Sequence, residues 1–378
     1  MLTRTLFEEE HHQFRAAVRR FFAAELTPNI ARWEAQGQVD KSFWRACGEQ
    51  GVLCPDMPEI YGGAGLDSRA NAIVLEETSY TGSETPAFSV HSDIVAHYLL
   101  KYAHEDVRQA WIPRMIDGSA IACICMTEPG GGSDLKAIRT SAVREGDQYR
   151  LNGAKTFITN GVTADIAIIA ARTGAEPGAK SISLFFCETD RPGYKIGRKL
   201  DKVGQASSDV AEIFFDDLMV PAHYLLGAEN QGFAYMMQEL PQERMSIAVT
   251  AHSAAQRAYD LTVDYVKQRQ AFGHSLMEFQ NTRFVLAELR TQLQVGWAHL
   301  DACMSALVAK QLSTAQAASA KLFHTELRSQ VTDACVQLFG GYGYMNEYEI
   351  ARLWKDTRIQ RIYGGTSEIM KELISRAI

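Results

Sequence analysis

Three kinds of periodicity follow one another along this chain, and their order limits the fold more than any single motif does. Up to about Gly118 the apolar residues recur at helical spacing. Phe14, Val18, Phe21 and Phe22, for example, fall on one stripe with charges opposite. From about Ser119 to Asn230 short β-like runs take over, at 140–143, 149–151, 155–159, 166–171, 181–187 and 210–215. Gly146-Asp147 and Asn152-Gly153 are predicted reversals between them. Beyond Gly232 long helical segments return, at 232–268, 279–309 and 313–339, the last with an alanine-rich stretch that favours helix. The expectation is an α+β protein. It has an N-terminal helical domain (1–118), a central antiparallel β barrel or sandwich (119–230) and a C-terminal four-helix bundle (231–378).

At 378 residues the chain exceeds one ordinary core, in line with that division. Its 46% hydrophobic and 22% charged residues describe a globular protein rather than a disordered one. A net charge of -7 argues against a general nucleic-acid binder, which needs a basic face. The seven cysteines form no Cys-x-x-Cys pair, so neither a zinc site nor a disulfide framework is expected; buried, reduced thiols are. The first 26 residues carry Glu8, Glu9 and Glu10 and lack the apolar core of a signal peptide. With no run of membrane-spanning length, a cytoplasmic location is expected.

Two glycine-rich stretches interrupt the pattern early. Tyr61-Gly62-Gly63-Ala64-Gly65 reads as a loop. Residues 125–134 (Cys-Met-Thr-Glu-Pro-Gly-Gly-Gly-Ser-Asp) have the composition of an anion or cofactor cradle, or of a plain connection between helix and sheet. Neither the P-loop order nor the Rossmann glycine fingerprint is present.

The second stretch resembles the first signature of the acyl-CoA dehydrogenase family, and other segments resemble that family in the same order. Phe157-Ile158-Thr159-Asn160-Gly161 is similar to its flavin-facing strand. Arg269-Gln270-Ala271-Phe272-Gly273 with Gln280, and Gln337-Leu338-Phe339-Gly340-Gly341, are similar to its dinucleotide-binding elements. Residues 362–369, from Ile362 through Thr366, Ser367 and Glu368, resemble its C-terminal signature. The resemblance covers most of the chain from about Tyr61 onward. It implies FAD held by Cys125, Met126, Thr127, Gly132, Ser133, Phe157, Ile158, Thr159, Arg269, Phe272, Gln280, Gln337, Phe339, Gly340, Gly341, Thr366, Ser367 and Glu368. It places the acyl-CoA substrate against Ser133, Arg244, Tyr363, Gly364 and Gly365. It further implies an electron-transfer flavoprotein as partner and a homotetramer built as two dimers, because some dinucleotide contacts in the family cross a subunit boundary.

Desaturating an acyl thioester needs a base for the α proton. Most relatives carry it as a glutamate directly before the Gly-Thr of the C-terminal signature, where this chain has Gly364. The segment from Glu239 to Met245 resembles the helix that supplies the base in the long-chain branch, with Glu243 at the aligned position. Glu239, one helical turn earlier, shares its face and competes with it, and either could be a solvated helix glutamate. Glu368 and Glu347 are lesser candidates. Pro241, lacking an N–H, weakens the helix between the two. The same fold serves flavin monooxygenases, acyl-CoA oxidases and non-catalytic acyl-CoA-binding proteins, and these are the rival readings.

Overall fold

The computed structural model describes residues 3–175 and 178–378. The chain opens with helices α1 (Glu9–Phe21), α2 (Ile30–Gln36), α3 (Lys41–Glu49), α4 (Ser68–Tyr80), α5 (Ala96–Tyr102) and α6 (Glu105–Ile116). A π-helical turn, Ser89–Val95, leads directly into α5. Helix α4 is buried from Ala70 to Ser79, and Thr78 and Ser79 return their hydroxyls to Val74 O and Leu75 O. A helix enclosed on every side must satisfy its polar side chains internally, and these do.

Strands β1 (Ala122–Cys125), β2 (Ser141–Glu145), β3 (Gln148–Thr159), β4 (Ile166–Arg172), β5 (Ile182–Glu188), β6 (Tyr194–Lys199), β7 (Val210–Pro221) and β8 (Leu225–Leu226) make one sheet. Its order is β6-β7-β3-β2-β4-β5-β8, with β1 also on β4. The sheet curls about its own core, in which Cys125, Leu151, Ile158, Ile169, Phe185, Ile213 and Val220 meet. Alternate residues of β4 (Ile166, Ile168 and Ala170) face the other way, onto Val95, Tyr98 and Met115 of the helices. Burial on both faces explains why β4 reads as a continuous apolar run.

Three details depart from the sequence expectation. The sheet is mixed: β1 runs parallel to β4, as does β2 at one pairing. The cause is local, because the Asp165 carboxylate accepts from Ile121 N at 2.9 Å while Asp165 N and Ile166 N donate to Ile121 O. That clasp starts both strands at the same end. Asn152-Gly153 is not a reversal; β3 runs straight through it with a register shift against β7. Thr140 stands so close that a Cβ at Gly153 would lie 2.5 Å from its Oγ1, so the glycine admits a crossing rather than a turn. Gly146-Asp147 does join β2 to β3.

The third departure concerns the bundle. Helices α7 (Gly232–Gln268), α8 (Gln280–Val308) and α9 (Thr314–Phe339) are long, as their spacing predicts, and a short ladder of β9 (Gln270–Ala271) and β10 (His274–Ser275) separates the first two. No fourth long helix follows among the described residues. The glycine-rich 340–343 turn ends α9, and the short α10 (Glu349–Thr357) and α11 (Ser367–Ser375) pack along it. The fourth flank of α7 is taken by α4, whose Ala72, Val74 and Leu75 join Met245, Ala248 and Val249 in one core. The N-terminal and C-terminal helices thus share a core, and the wall between them holds the site.

Candidate active site

Glu239 and Glu243 lie one turn apart on α7 and face α5, whose Tyr98, Lys101 and Tyr102 share a face at i, i+3 and i+4. The two carboxylates meet different partners. Glu239 is held by Lys101 Nζ at 2.6 Å and by Tyr102 OH at 2.7 Å, one on each oxygen. Lys101 remains 43% exposed, so this pair opens to solvent. Glu243 is only 7% exposed and receives one hydrogen bond, from Tyr98 OH to Oε1 at 3.2 Å. Its Oε2 has no donor among the described residues. Burial pushes its carboxyl up to about 7; the Glu239 charge adds to this, while the Tyr98 bond and Arg244 oppose it. The chain passes through Pro241 without a break in the helix.

Arg244 is buried beside Glu243, and its Nε–H has no acceptor among the described residues. Burial, with the Arg244 charge nearby, holds Lys321 of α9 down at about 8, and its ammonium donates to Gly365 O. Gly364 sits at φ +64, and a Cβ there would lie 2.4 Å from Ile247 Cδ1 and 3.8 Å from Lys321 Cε. Ile247 is one turn beyond Glu243 on the same face of α7. The 363–365 turn therefore packs against the helix that carries Glu243. The other candidate carboxylates are placed differently. Glu347 and Glu368 are exposed, and backbone and Thr366 hydrogen bonds at the start of α11 hold the Glu368 carboxyl below its usual range.

The residues expected at the cofactor fall into two groups. In the first, Lys155 ties the glycine-rich loop to β3: its Nζ donates to Glu128 Oε1 at 2.9 Å and to Met126 O at 3.1 Å. Glu128 also accepts from Arg139 N and Thr140 N, and Thr156 N donates to Thr127 O. Burial lowers the Lys155 ammonium and the Glu128 charge opposes that. Thr127 is thereby tied to the middle of β3, the strand that ends at Thr159, with Gly132 against the Thr127 methyl and Ser133 exposed. Phe157 of the same strand stands at φ +60, 68% exposed, where β3 slips register against β7. A large aromatic held in the left-handed region and left open to solvent indicates a surface built for something to lie on. Cys125 and Ile158 point into the sheet core, leaving only their backbone for a ligand.

In the second group, Arg269, Gln337, Phe339, Gly340 and Gly341 line one cleft of about 480 Å³ with Tyr265 and Tyr342. Phe339 stacks on Tyr265 at 3.9 Å, and the Arg269 guanidinium lies over Tyr342. Phe272, 93% exposed, and Gln280 stay outside that lining. Thr366 caps α11 and Ser367 donates to Glu326, so both hydroxyls are engaged inside the chain. These residues fit a flavin dinucleotide. Gly130, Gly131, Gly340 and Gly341 have no atom within 4 Å of a would-be Cβ, so their backbones are open to approach. The first group offers an aromatic face and hydroxyls, the second an arginine with no ion-pair partner among the described residues, suited to phosphate oxygens.

Sequence reasoning missed Tyr98, Lys101, Lys155 and Lys321. Only Lys155 left a signal, a charged residue at an inward position of a strand.

The site and fold define a flavoprotein dehydrogenase of two helical layers around a β core, and comparison with known proteins agrees. The N-terminal, middle and C-terminal domains of acyl-CoA dehydrogenases are matched over residues 8–119, 123–218 and 230–378. The mitochondrial long-chain specific acyl-CoA dehydrogenase of Sus scrofa is 47% identical over 99% of this chain and 88% of its own. A crystal structure of acyl-CoA dehydrogenase from Geobacillus kaustophilus superposes with a TM-score of 0.97 at 44% identity, covering 99% of each chain. A glutaryl-CoA dehydrogenase from Mycobacterium smegmatis in complex with FADH2 matches with a TM-score of 0.92 at 28% identity, over 98% of this chain and 95% of that one. This chain belongs to the acyl-CoA dehydrogenase family. Its activity is the FAD-dependent α,β-dehydrogenation of an acyl-CoA thioester to the trans-2-enoyl-CoA.

Proposed function

We propose that Glu243 is the base of this dehydrogenation and that the substrates are long-chain acyl-CoA thioesters. The carrying observation is the contrast on one helix face: both oxygens of Glu239 are engaged, by Lys101 and Tyr102, whereas Glu243 is buried and its Oε2 receives no donor from the described residues. A carboxyl near 7 suits an abstraction at neutral pH, where much of it is ionised and still basic. Bound FAD supplies the acceptor for the hydride that leaves the β carbon. Arg244, with a free Nε–H, and the Tyr363–Gly364–Gly365 turn with Ser133 are assigned to the acyl thioester. Thr127, Thr159 and Phe157 are assigned to the flavin ring. Arg269, Gln337, Gly340 and Gly341 are assigned to the dinucleotide phosphates.

The long-chain assignment rests on the similarity to the long-chain specific acyl-CoA dehydrogenase of Sus scrofa and on Gly364 occurring together with Glu243. The helical edge, sheet edge and bundle cleft suggest boundaries near residues 118 and 230. The residues assigned to the flavin ring lie outside the lining of the 480 Å³ cleft; a homotetramer of two dimers, in which dinucleotide contacts cross a subunit boundary, is the assembly proposed. Electrons pass to an electron-transfer flavoprotein. All seven cysteines are free and buried, which suits a reducing compartment, the cytoplasm or a mitochondrial matrix alike. Among the described residues no helix is long and apolar enough to cross a membrane.

The test is anaerobic flavin reduction by a panel of acyl-CoA thioesters, short to long and branched, with native protein and Glu243→Gln. Fast reduction by the variant would refute the base, and fast turnover only on short or branched chains would refute the substrate class. Rapid reoxidation of the reduced protein by air, with peroxide, would mark an oxidase instead.

A further inference from the structure

Tyr98 is fully buried, and its ring belongs to the core between α5, β4 and α7. A phenol in such a core needs a partner for its O–H. The partner here is Glu243 Oε1, at 3.2 Å. That bond is also the only one the buried carboxylate receives from the described residues. Tyr102 and Lys101, on the same face of α5, are occupied by Glu239 and cannot take its place.

The chain spends an irregular element to bring Tyr98 there. The π-helical turn Ser89–Val95 inserts an extra residue ahead of α5, rotating every following side chain by about 100° relative to an unbroken helix. Gln242, the residue before Glu243, donates from Nε2 to Asp93 O in that turn at 3.2 Å. The π turn is thus fastened to α7 at the level of Glu243, and α5 leaves it with Tyr98 facing the carboxylate.

We propose that Tyr98 is the positioning residue of the reaction, holding Glu243 through Oε1 so that Oε2 is presented to the substrate, and keeping the buried carboxylate ionised before turnover. The proposal rests on Glu243 being the base. A donor to one oxygen fixes the rotamer and favours the anion, while the second oxygen stays free to take the α proton. The other charged groups facing this point are accounted for. Glu239 and Arg244 share α7 with Glu243; Lys101 reaches Glu239; Lys321 of α9 reaches Gly365; Asp93 of the π turn is bonded by Asn71 of α4. None of them donates to Glu243.

Tyr98→Phe removes one oxygen and keeps the ring, so the core should remain filled. The experiment follows the pH dependence of anaerobic flavin reduction in four FAD-loaded proteins: native, Tyr98→Phe, Tyr102→Phe and Glu243→Gln. The expected result is that Tyr98→Phe moves the acid limb up by about one pH unit, as loss of one donor to a carboxylate should. Tyr102→Phe should move it less, and Glu243→Gln should reduce its flavin slowly at every pH. Infrared titration of the buried carboxyl in native and Tyr98→Phe protein reads the same shift without turnover. It therefore decides the matter even if Tyr98→Phe retains little activity. A slow Glu243→Gln with an unmoved limb in Tyr98→Phe would overturn this proposal and leave the base in place. A fast Glu243→Gln would overturn the base, and this inference with it.

Discussion

Glu243 and Glu239 have the same side chain one turn apart, yet their hydrogen-bond partners differ. Replacing Glu243 by Gln should slow flavin reduction by at least ~10²-fold while FAD and acyl-CoA still bind. It should also stabilise the protein. A carboxyl raised from 4.5 to about 7 on folding means that the folded state holds a proton the unfolded state releases between those values. Stability is therefore lost as pH rises from 4.5 to 7, by roughly 3 kcal/mol in all. Thermal melts of Glu243→Gln should lie above native at pH 8 and converge with it near pH 4.5; coincident melts at both would count against a raised carboxyl. Glu239→Gln should behave in the opposite sense, nearly normal in rate and less stable, because it unpairs Lys101 and Tyr102. Position 364, where most relatives carry the base, gives a second test of the same point. Gly364 is at φ +64 with Ile247 in the way of any side chain, so Gly364→Glu in the Glu243→Gln background should recover activity only with Ile247→Ala added. Stopped-flow reduction of the double and triple variants distinguishes these.

At the scale of elements, the attachment of the 125–134 loop, the edge proposed to hold the flavin, depends on a buried ion pair rather than on the loop's glycines alone. Lys155 and Glu128 lock the 125–134 loop to β3, and Lys155→Met would leave Glu128 buried with its counter-charge gone. Such one-sided removal costs about 3–5 kcal/mol. The expected outcome is a lowered melting temperature and loss of FAD on gel filtration, with Glu128→Gln/Lys155→Met milder than Lys155→Met. Equal damage in the two would show that the pair is not what holds the loop. The helical lengths of this bundle were legible because a 3.6-residue apolar period sustained over 25 residues has one structural solution. The behaviour of Asn152-Gly153 was not, since the same dipeptide suits a turn or a bulge and only Thr140 across the ladder selects between them.

Across the whole molecule, buried histidines work against stability at low pH. His91, His252 and His324 are fully enclosed, and burial holds all three well below their usual range, His91 at about 4 and His252 at about 3. His252 and His324 share a hydrogen bond between their Nδ1 atoms at 3.0 Å, which requires a proton on only one of them. The unfolded chain therefore binds protons below pH 6.5 that the folded chain refuses. Each such histidine costs stability as pH drops through 6.5, by about 1.4 kcal/mol per unit, against the opposite contribution of the buried Glu243, Asp93 and Asp356 carboxyls, which burial raises to about 7. The difference in denaturant midpoint between native and His252→Asn protein isolates the histidine contribution: it should shift in favour of the variant from pH 7 to 5.5, and an unchanged difference would count against a histidine held neutral. Assembly belongs to the same scale: light scattering should give a tetramer, and a monomer that retains FAD tightly would contradict the shared site.

What the sequence determined by itself was the order of helix, sheet and helix, the place of the glycine-rich 125–134 loop, and the occurrence of Gly364 together with a glutamate at 243. These are properties of local period and of motif, carried by residues near one another in the chain. The tertiary structure decided which glutamate stays free, because that depends on Tyr98, Lys101 and Tyr102 arriving from about 140 residues away on a helix rotated by a π turn. It decided that β1 runs parallel to β4, through a single aspartate clasp, and that α4 completes the bundle. Nothing in a local period specifies a partner so distant in the chain; burial and hydrogen bonding do, once the helices have packed.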